Sequence, residues 1–197
     1  MTITDVRYFR GYNAADTLTV NGNTVINDGI LGSTGYTGAQ TFGGTVTVNS
    51  GGEYRATDAT NEFGGDVYVN DGGIFTVVGS ENTVWFNDDF TTYGDTLWQD
   101  SVIRFNSTSD CSIFWNASGN ANMTIVNSTV SNSGSGDNTY GAYIMSTPWV
   151  SGDIIIHDSY IEHASDDGCS NSAWDYFTIN NGADVNNTTF YLSLIHI

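Results

Sequence analysis

Residues 42–62, FGGTVTVNSGGEYRATDATNE, are followed at once by FGGDVYVNDGGIFTVVGSEN at 63–82. Phe42, Gly43, Gly44, Val46, Val48, Asn49, Gly51 and Gly52 recur at a spacing of 21 as Phe63, Gly64, Gly65, Val67, Val69, Asn70, Gly72 and Gly73. Within each copy apolar residues alternate with polar ones (Val46, Val48, Tyr54; Val67, Val69, Phe75, Val77), the period of a strand buried on one face. Each run ends in Asn and a Gly pair, which supply the backbone conformations of a tight turn. A unit of about twenty residues cannot bury its own apolar side, whereas stacked copies can, so the repeat predicts a solenoid.

The same grammar extends in both directions. Thr17–Ile30 reads TLTVNGNTVINDGI, and Leu18, Val20 and Asn21 answer Val46, Val48 and Asn49 at a spacing of 28. Gly32–Gly44 reads as a glycine-rich connection. Val84, Phe86 and Asn87 follow Val67, Val69 and Asn70 at a spacing of 17, so rung length varies, as it does when insertions enter turns. Residues 1–16 fit no rung and are assigned to an N-terminal segment with the character of a cap.

After residue 100 the flavour changes without a linker. The segments VIRFNST (102–108), MTIVNSTV (123–130), IIIHDSYI (154–161) and DVNNTTF (184–190) each run from apolar strand to Asn or Asp, then to Ser, Thr or Tyr. Aligned on Asn106, Asn127, Asp158 and Asn187, they are spaced by 21, 31 and 29. In a parallel stack neighbouring strands sit about 4.8 Å apart. A turn Asn can then bond both local backbone and the Asn of the next coil, satisfying groups otherwise orphaned.

This pattern resembles the right-handed parallel β-helix of the pectin-lyase-like superfamily, whose coils stack an Asn ladder, and the resemblance covers residues 17–190. The expectation is one all-β domain, a right-handed parallel β-solenoid with irregular rungs of about 17–31 residues. Gly-rich rungs fill 17–100 and Asn-ladder rungs 101–191. No helix of ten or more residues can be drawn. The last six residues, LSLIHI (192–197), resemble the translation of a transposon-end adapter used in sequencing libraries. They are therefore read as a non-native tail on a metagenomic gene fragment, the alternative being a genuine apolar strand.

Composition limits function. The formal charge is −18, Arg7, Arg10, Arg55 and Arg104 are the only Lys or Arg residues, and lysine is absent. Nucleic acid is excluded as a partner because that binding rests on Lys and Arg neutralising phosphates. P-loop, Schiff-base and lysine-base chemistry go with the missing lysine. Such acidity suits plain solubility or a saline habitat. Asp outnumbers Glu by 18 to 4, a bias toward turns. No apolar run approaches the roughly 18 residues of a membrane helix, so no membrane insertion is expected of this segment. MTITDVRYFRG (1–11) lacks the apolar core of a signal peptide.

The densest polar chemistry lies in IIIHDSYIEHASDDGCSNSAWDY (154–176). Paired carboxylates are what glycoside hydrolysis needs, which makes Asp166, Asp167 and His163 the catalytic candidates. As a hard-oxygen cluster, Asp166, Asp167 and Asp175 are candidates for Ca²⁺, the one cofactor considered. Asp166-Asp167-Gly168-Cys169 faintly resembles the Asp-Asp-Cys element of polygalacturonases, but a glycine intervenes. The companion Asn-Thr-Asp, Gly-His-Gly and Arg-Ile-Lys elements are missing, which favours no catalysis. The lyases of the resembled superfamily act on anionic uronates, which a strongly negative surface repels. A glycoside hydrolase is thus the enzyme alternative, and neutral glycans or other surface proteins are the expected partners.

Trp98 and Trp149 sit in segments without clean alternation and are the candidates for stacking on sugars. Cys111 and Cys169 register two coils apart, about 10 Å at strand spacing. A disulfide needs Cα atoms within about 7 Å, and none is expected. Sequons occur at Asn106, Asn116, Asn122, Asn127, Asn186 and Asn187. Those at ladder positions should be buried, leaving Asn116 and Asn122 exposed. The functional expectation is a structural, adhesive rod of an extracellular cell-surface or virion protein. A carbohydrate-active β-helix, either glycoside hydrolase or tailspike-type depolymerase, and a non-catalytic glycan-binding module are the alternatives.

Overall fold

The computed structural model describes residues 1–4, 6–9, 15–32, 36–80, 82–105, 115–117, 122–132, 152–163 and 184–192. Among them there is no helix, and the strands form three parallel sheets of six, eight and eight strands. The chain visits the sheets in rotation. Val46–Val48 lies in the first, Gly52–Arg55 in the second and Thr60–Phe63 in the third. The next coil repeats the order with Val67–Val69, Ile74–Val78 and Thr83–Phe86. This is a parallel β-solenoid, and the right-handed sense is the one parallel crossovers take as a rule.

The tandem repeat aligns as the sequence predicts: Val46 pairs with Val67, Val48 with Val69 and Tyr54 with Phe75. Because parallel stacking places like residues over like, alternation becomes columns. Phe42, Phe63, Phe86 and Phe105 stack in the third sheet with centroids 5.3, 5.2 and 5.2 Å apart. Tyr54 and Phe75 stack in the second at 4.7 Å. Such pairs add about 0.5–1.5 kcal/mol each beyond the area they bury.

One polar cluster interrupts this core. Fully buried Asn61 donates through Nδ2 to the carbonyls of Thr57 and Ala59 at 3.0 and 2.9 Å. Its Oδ1 accepts from the Thr57 N–H, the Thr57 hydroxyl and the Tyr54 hydroxyl. The Thr57 N–H takes its acceptor from this amide, and the Thr57 and Ala59 carbonyls, which also accept the Ala59 and Thr83 N–H groups, gain a second donor, so the amide seals the corner at 56–59 from within.

Corners carry the second set of columns. Asn49 Nδ2 donates to Asn27 Oδ1 at 2.7 Å, and Asn70 Nδ2 to Asn49 Oδ1 at 2.6 Å. Gly51 follows with φ +78, and a Cβ on Gly52 would lie 2.4 Å from the Ile26 carbonyl oxygen, so the coils meet backbone to backbone there. Farther along, Asn127 donates to Asp100 at 2.6 Å and Asn187 to Asp158 at 2.7 Å. All four hold the left-handed conformation, φ between 46 and 53, that Asn and Asp tolerate best.

Three registers and one connection differ from the sequence reading. Val67–Val69 stacks on Phe90–Thr92, not on Val84 and Phe86, which belong to the third sheet above Phe63. Leu18 pairs with Gln40 in the third sheet, and Val46 pairs with Thr24, so the match of Leu18 with Val46 joined different faces. Asp100, paired with Asn127, holds the rung given to Asn106, which lies outside the described residues. The connection at 32–44 contains the strand Gln40–Phe42. Coil length is uneven: one short coil runs only from Thr83 to Val102, and a long one from Met123 to Ile154. Stacking also continues below residue 17, where Thr2–Ile3 pairs with Val25 and Ile26.

Phe63→Ala should lose about 3–5 kcal/mol of stability, whereas Glu62→Ala, one residue away but facing solvent, should stay within about 0.5 kcal/mol; urea unfolding of both variants checks the alternation. Burial raises the Tyr54 hydroxyl pKa well above its ordinary value. The unfolded chain therefore loses this proton first, and the stability held below the unfolded pKa falls as pH climbs through about 10. Tyr54→Phe should flatten that alkaline decline relative to the parent, as read by thermal melts across the range.

Candidate functional site

The outward surface of the third sheet carries the most distinctive side chains. Period-2 alternation buries Val84 and Phe86 and turns Trp85 out between them, half-buried. Parallel register sets Glu62 beneath Trp85 and Arg104 above it, and Thr41 pairs with Glu62 one coil lower. The Arg104 guanidinium carbon lies 5.0 Å from the Trp85 ring centroid, a cation–π contact. Glu62 Oε1 accepts from Asn87 Nδ2 at 3.0 Å. On the same sheet, Tyr160 is 37% exposed in the column Thr83, Val102, Thr129. The column thus presents an indole between a carboxylate acceptor and guanidinium donors, with the guanidinium packed over the ring. Glu62's neighbours in its column are Thr41 and Trp85, so the column brings no second carboxylate beside it for acid–base work.

A second constellation sits where the third sheet turns into the first. Asp66, Asp88 and Asp89 present carboxylate oxygens all within 4.8 Å of one another. Among the described residues this is the group with the charge and hard-oxygen character to hold a divalent cation such as Ca²⁺. The Tyr68 hydroxyl donates to Asp66 Oδ2 at 3.0 Å, and that hydrogen bond, with some burial and the three negative charges, raises the Tyr68 pKa. The aspartates escaped the sequence reading because the alignment of Val84 on Val67 separated Asp66 from Asp88 and Asp89. Pairing Val67 with Phe90 brings them together.

Where the corner at 79–82 gives way to the shorter corner Asp100-Ser101, a shallow depression of about 320 Å³ opens. Ser80, Asp100, Ser101, Val102, Asn127 and Thr129 line it. Asp100 already accepts from Asn127 and from Gln99 Nε2, and the Ser101 hydroxyl donates to the Gln99 carbonyl, so the lining is spent on the corner itself. On the second sheet, His157 Nε2 approaches Asp184 Oδ2 at 3.1 Å.

Of the residues singled out in sequence, Trp98 is overturned as a sugar platform. It is fully buried, packed against Phe86, Phe90 and Phe105. Trp149, Asp166, Asp167, Asp175, Cys111 and Cys169 lie outside the described residues. His163 ends the strand Tyr160–His163, and its side chain is outside them too. The ladder sequons are corrected: Asn127 and Asn187 are exposed because the corners project from the tube, although their amides are engaged. Asn122 is exposed as expected, with Nδ2 donating to Asp95 at 2.7 Å.

No family model matches this chain, and no curated protein or solved structure is significantly similar to it.

Iodide quenching checks the aromatic assignment. Trp85→Phe should remove more of the quenchable tryptophan emission than Trp98→Phe, whose loss should come from the blue, shielded part of the spectrum.

Proposed function

We propose that this chain is a structural rod segment of an extracellular cell-surface or virion protein, displaying its outer faces and corner loops for adhesion and performing no catalysis. The observation that carries this reading is the use made of the corner polar groups. Asn27, Asn49 and Asn70, then Asp100 with Asn127 and Asp158 with Asn187, bond coil to coil. Side chains that elsewhere furnish a site here hold the stack together. A surface rich in Asp and free of lysine keeps such a rod soluble and discourages lateral association. Kinship with the pectin-lyase-like superfamily belongs to the same proposal and rests on the parallel coils and their ladders.

A second reading, a glycan-binding module for neutral sugars, is favoured by Trp85 together with Tyr160 on one outward sheet. Neutral sugars suit the site because an acidic surface repels uronates.

Incubation of the intact chain with a panel of neutral and acidic polysaccharides should release no new reducing ends. The folded chain should also survive chymotrypsin at concentrations that digest it in urea. Release of reducing ends would replace the rod by an enzyme. Saturable binding to one neutral glycan, lost in Trp85→Ala and kept in Trp98→Phe, would establish the binding module instead.

A further inference from the structure

The asparagines described in this fold are not chemically alike. An asparagine deamidates when the backbone nitrogen of the following residue attacks its side-chain carbonyl. The reaction needs a free N–H, room beside it and a loose amide. The ladder withholds one or more of these in most places. After Asn23, the Thr24 N–H is donated to the Thr45 carbonyl at 2.8 Å, and after Asn82, the Thr83 N–H to Ala59 at 3.2 Å. Met123, after Asn122, donates to Asp153 at 2.9 Å, and Ser128, after Asn127, to Ser159 Oγ at 3.2 Å. Asn49 and Asn70 have their own amides fixed between coils and are followed by Ser50 and Asp71, whose side chains hinder attack.

Asn21 differs on each count. It lies in the corner between Leu18–Val20 and Thr24–Ile26, both it and Gly22 are exposed, and Gly22 carries no side chain. A Cβ built on Gly22 meets nothing within 4 Å. Among the described residues none bonds the Asn21 amide and none accepts the Gly22 N–H.

We propose that Asn21 is a self-modifying site, converting without an enzyme to aspartate and isoaspartate in the folded chain. The Gly22 nitrogen bonds to Asn21 Cγ, the Cγ–Nδ2 bond breaks, and ammonia leaves with the proton from the Gly22 N–H. Water then opens the cyclic imide. Attack at the side-chain carbonyl gives aspartate, and attack at the main-chain carbonyl gives isoaspartate, which routes the backbone through Cγ and lengthens it by one methylene.

The two products have different consequences because of what packs on this corner. The Gly43 N–H donates to the Val20 carbonyl at 2.8 Å, and the Thr45 N–H to Asn23 Oδ1 at 3.2 Å. A Cβ on Gly44 would lie 2.8 Å from the Gly22 carbonyl carbon, so the next corner rests directly on this one. A longer backbone cannot keep both the Val20 and the Asn23 contacts, while plain aspartate keeps the corner's length. The isoaspartate product therefore loosens the contact between this coil and the next, the same pair of coils that Asn49 and Asn27 tie together.

The intact folded chain, aged in mildly alkaline buffer, should gain the mass of an NH₂-to-OH exchange at Asn21 before any other described asparagine. Isoaspartate should be detected there by an isoaspartate-specific methyltransferase. Gly22→Ala fits the open space and should suppress the reaction without lowering the melting temperature. Asn21→Asp should melt like the unaged parent, and the isoaspartate form below both. The proposal is overturned if Asn21 reacts only when the chain is unfolded in urea, if Gly22→Ala ages as fast as the parent, or if another described asparagine reacts first.

Discussion

A parallel coil must turn three corners, and every corner interrupts the strand ladder and orphans main-chain groups that the interior cannot hydrate. At the 49–52 corner main-chain bonds meet that demand, the Asn49 N–H donating to Ile26 and the Gly51 N–H to Gly72, and beside them an asparagine amide, which both donates and accepts, ties coil to coil. Asn49 shows the arrangement, donating to Asn27 below and accepting from Asn70 above. Each such bond fixes which residue of one coil lies over which residue of the next. That register is what converts alternating sequence into columns of Val, Phe and Ile, since a slip of one residue would turn the column outward.

Beyond residue 99 the same problem has a different solution. Asp100 and Asp158 accept from Asn127 and Asn187, but the Asp158 carboxylate cannot donate to Asn127 beneath it, so the amide ladder breaks into pairs. The neighbouring hydroxyls close the gap. Ser128 Oγ accepts from the Ser101 N–H, Ser159 Oγ from the Ser128 N–H, and Thr188 Oγ1 reaches the Ile156 carbonyl. Each serine also donates to the carbonyl two residues back, as Ser128 does to Val126 at 2.8 Å. The change of flavour seen in the sequence is thus a change of corner. Longer corners sealed by buried Asn61 and Asn82 give way to tight Asx-Ser/Thr corners bound through side chains.

This accounts for what the sequence could and could not disclose. The match of Val46 with Val67 was legible because both copies keep the same spacing through the first two sheets. The matches of Val84 with Val67 and of Leu18 with Val46 misled because apolar-x-apolar-Asn marks the end of a strand without saying which corner follows. Asn70 ends a first-sheet strand and joins the ladder, while Asn87 ends a third-sheet strand and bonds Glu62. Asn106 misled similarly: the shared Asn-Ser-Thr matched VIRFNST to MTIVNST, although Val102–Phe105 stacks under Thr129–Asn132 on another sheet. The site was less legible still. Leu97 faces out beside buried Trp98, and Trp85 faces out between buried Val84 and Phe86, so in both segments an apolar outward residue erased the alternation that tells inside from outside.

The corner chemistry also explains how a chain of net charge −18 tolerates close stacking. Asp95, Asp100 and Asp158 each accept from an asparagine one coil away, so their charge is met by a donor rather than by another carboxylate. Asp and Asn are therefore not interchangeable in these columns, however similar their shape. An aspartate at 127 would set two acceptors face to face across strand spacing, whereas an asparagine at 100 would retain the bond. Acidity here is position-specific, tolerated wherever an amide lies in the next coil. Asp66, Asp88 and Asp89 are the carboxylates that instead gather within 4.8 Å of one another, with the Tyr68 hydroxyl donating to Asp66. The stack constrains its interior and corners in this way, whereas the outward column Thr41, Glu62, Trp85 and Arg104 stands outside the packed interior.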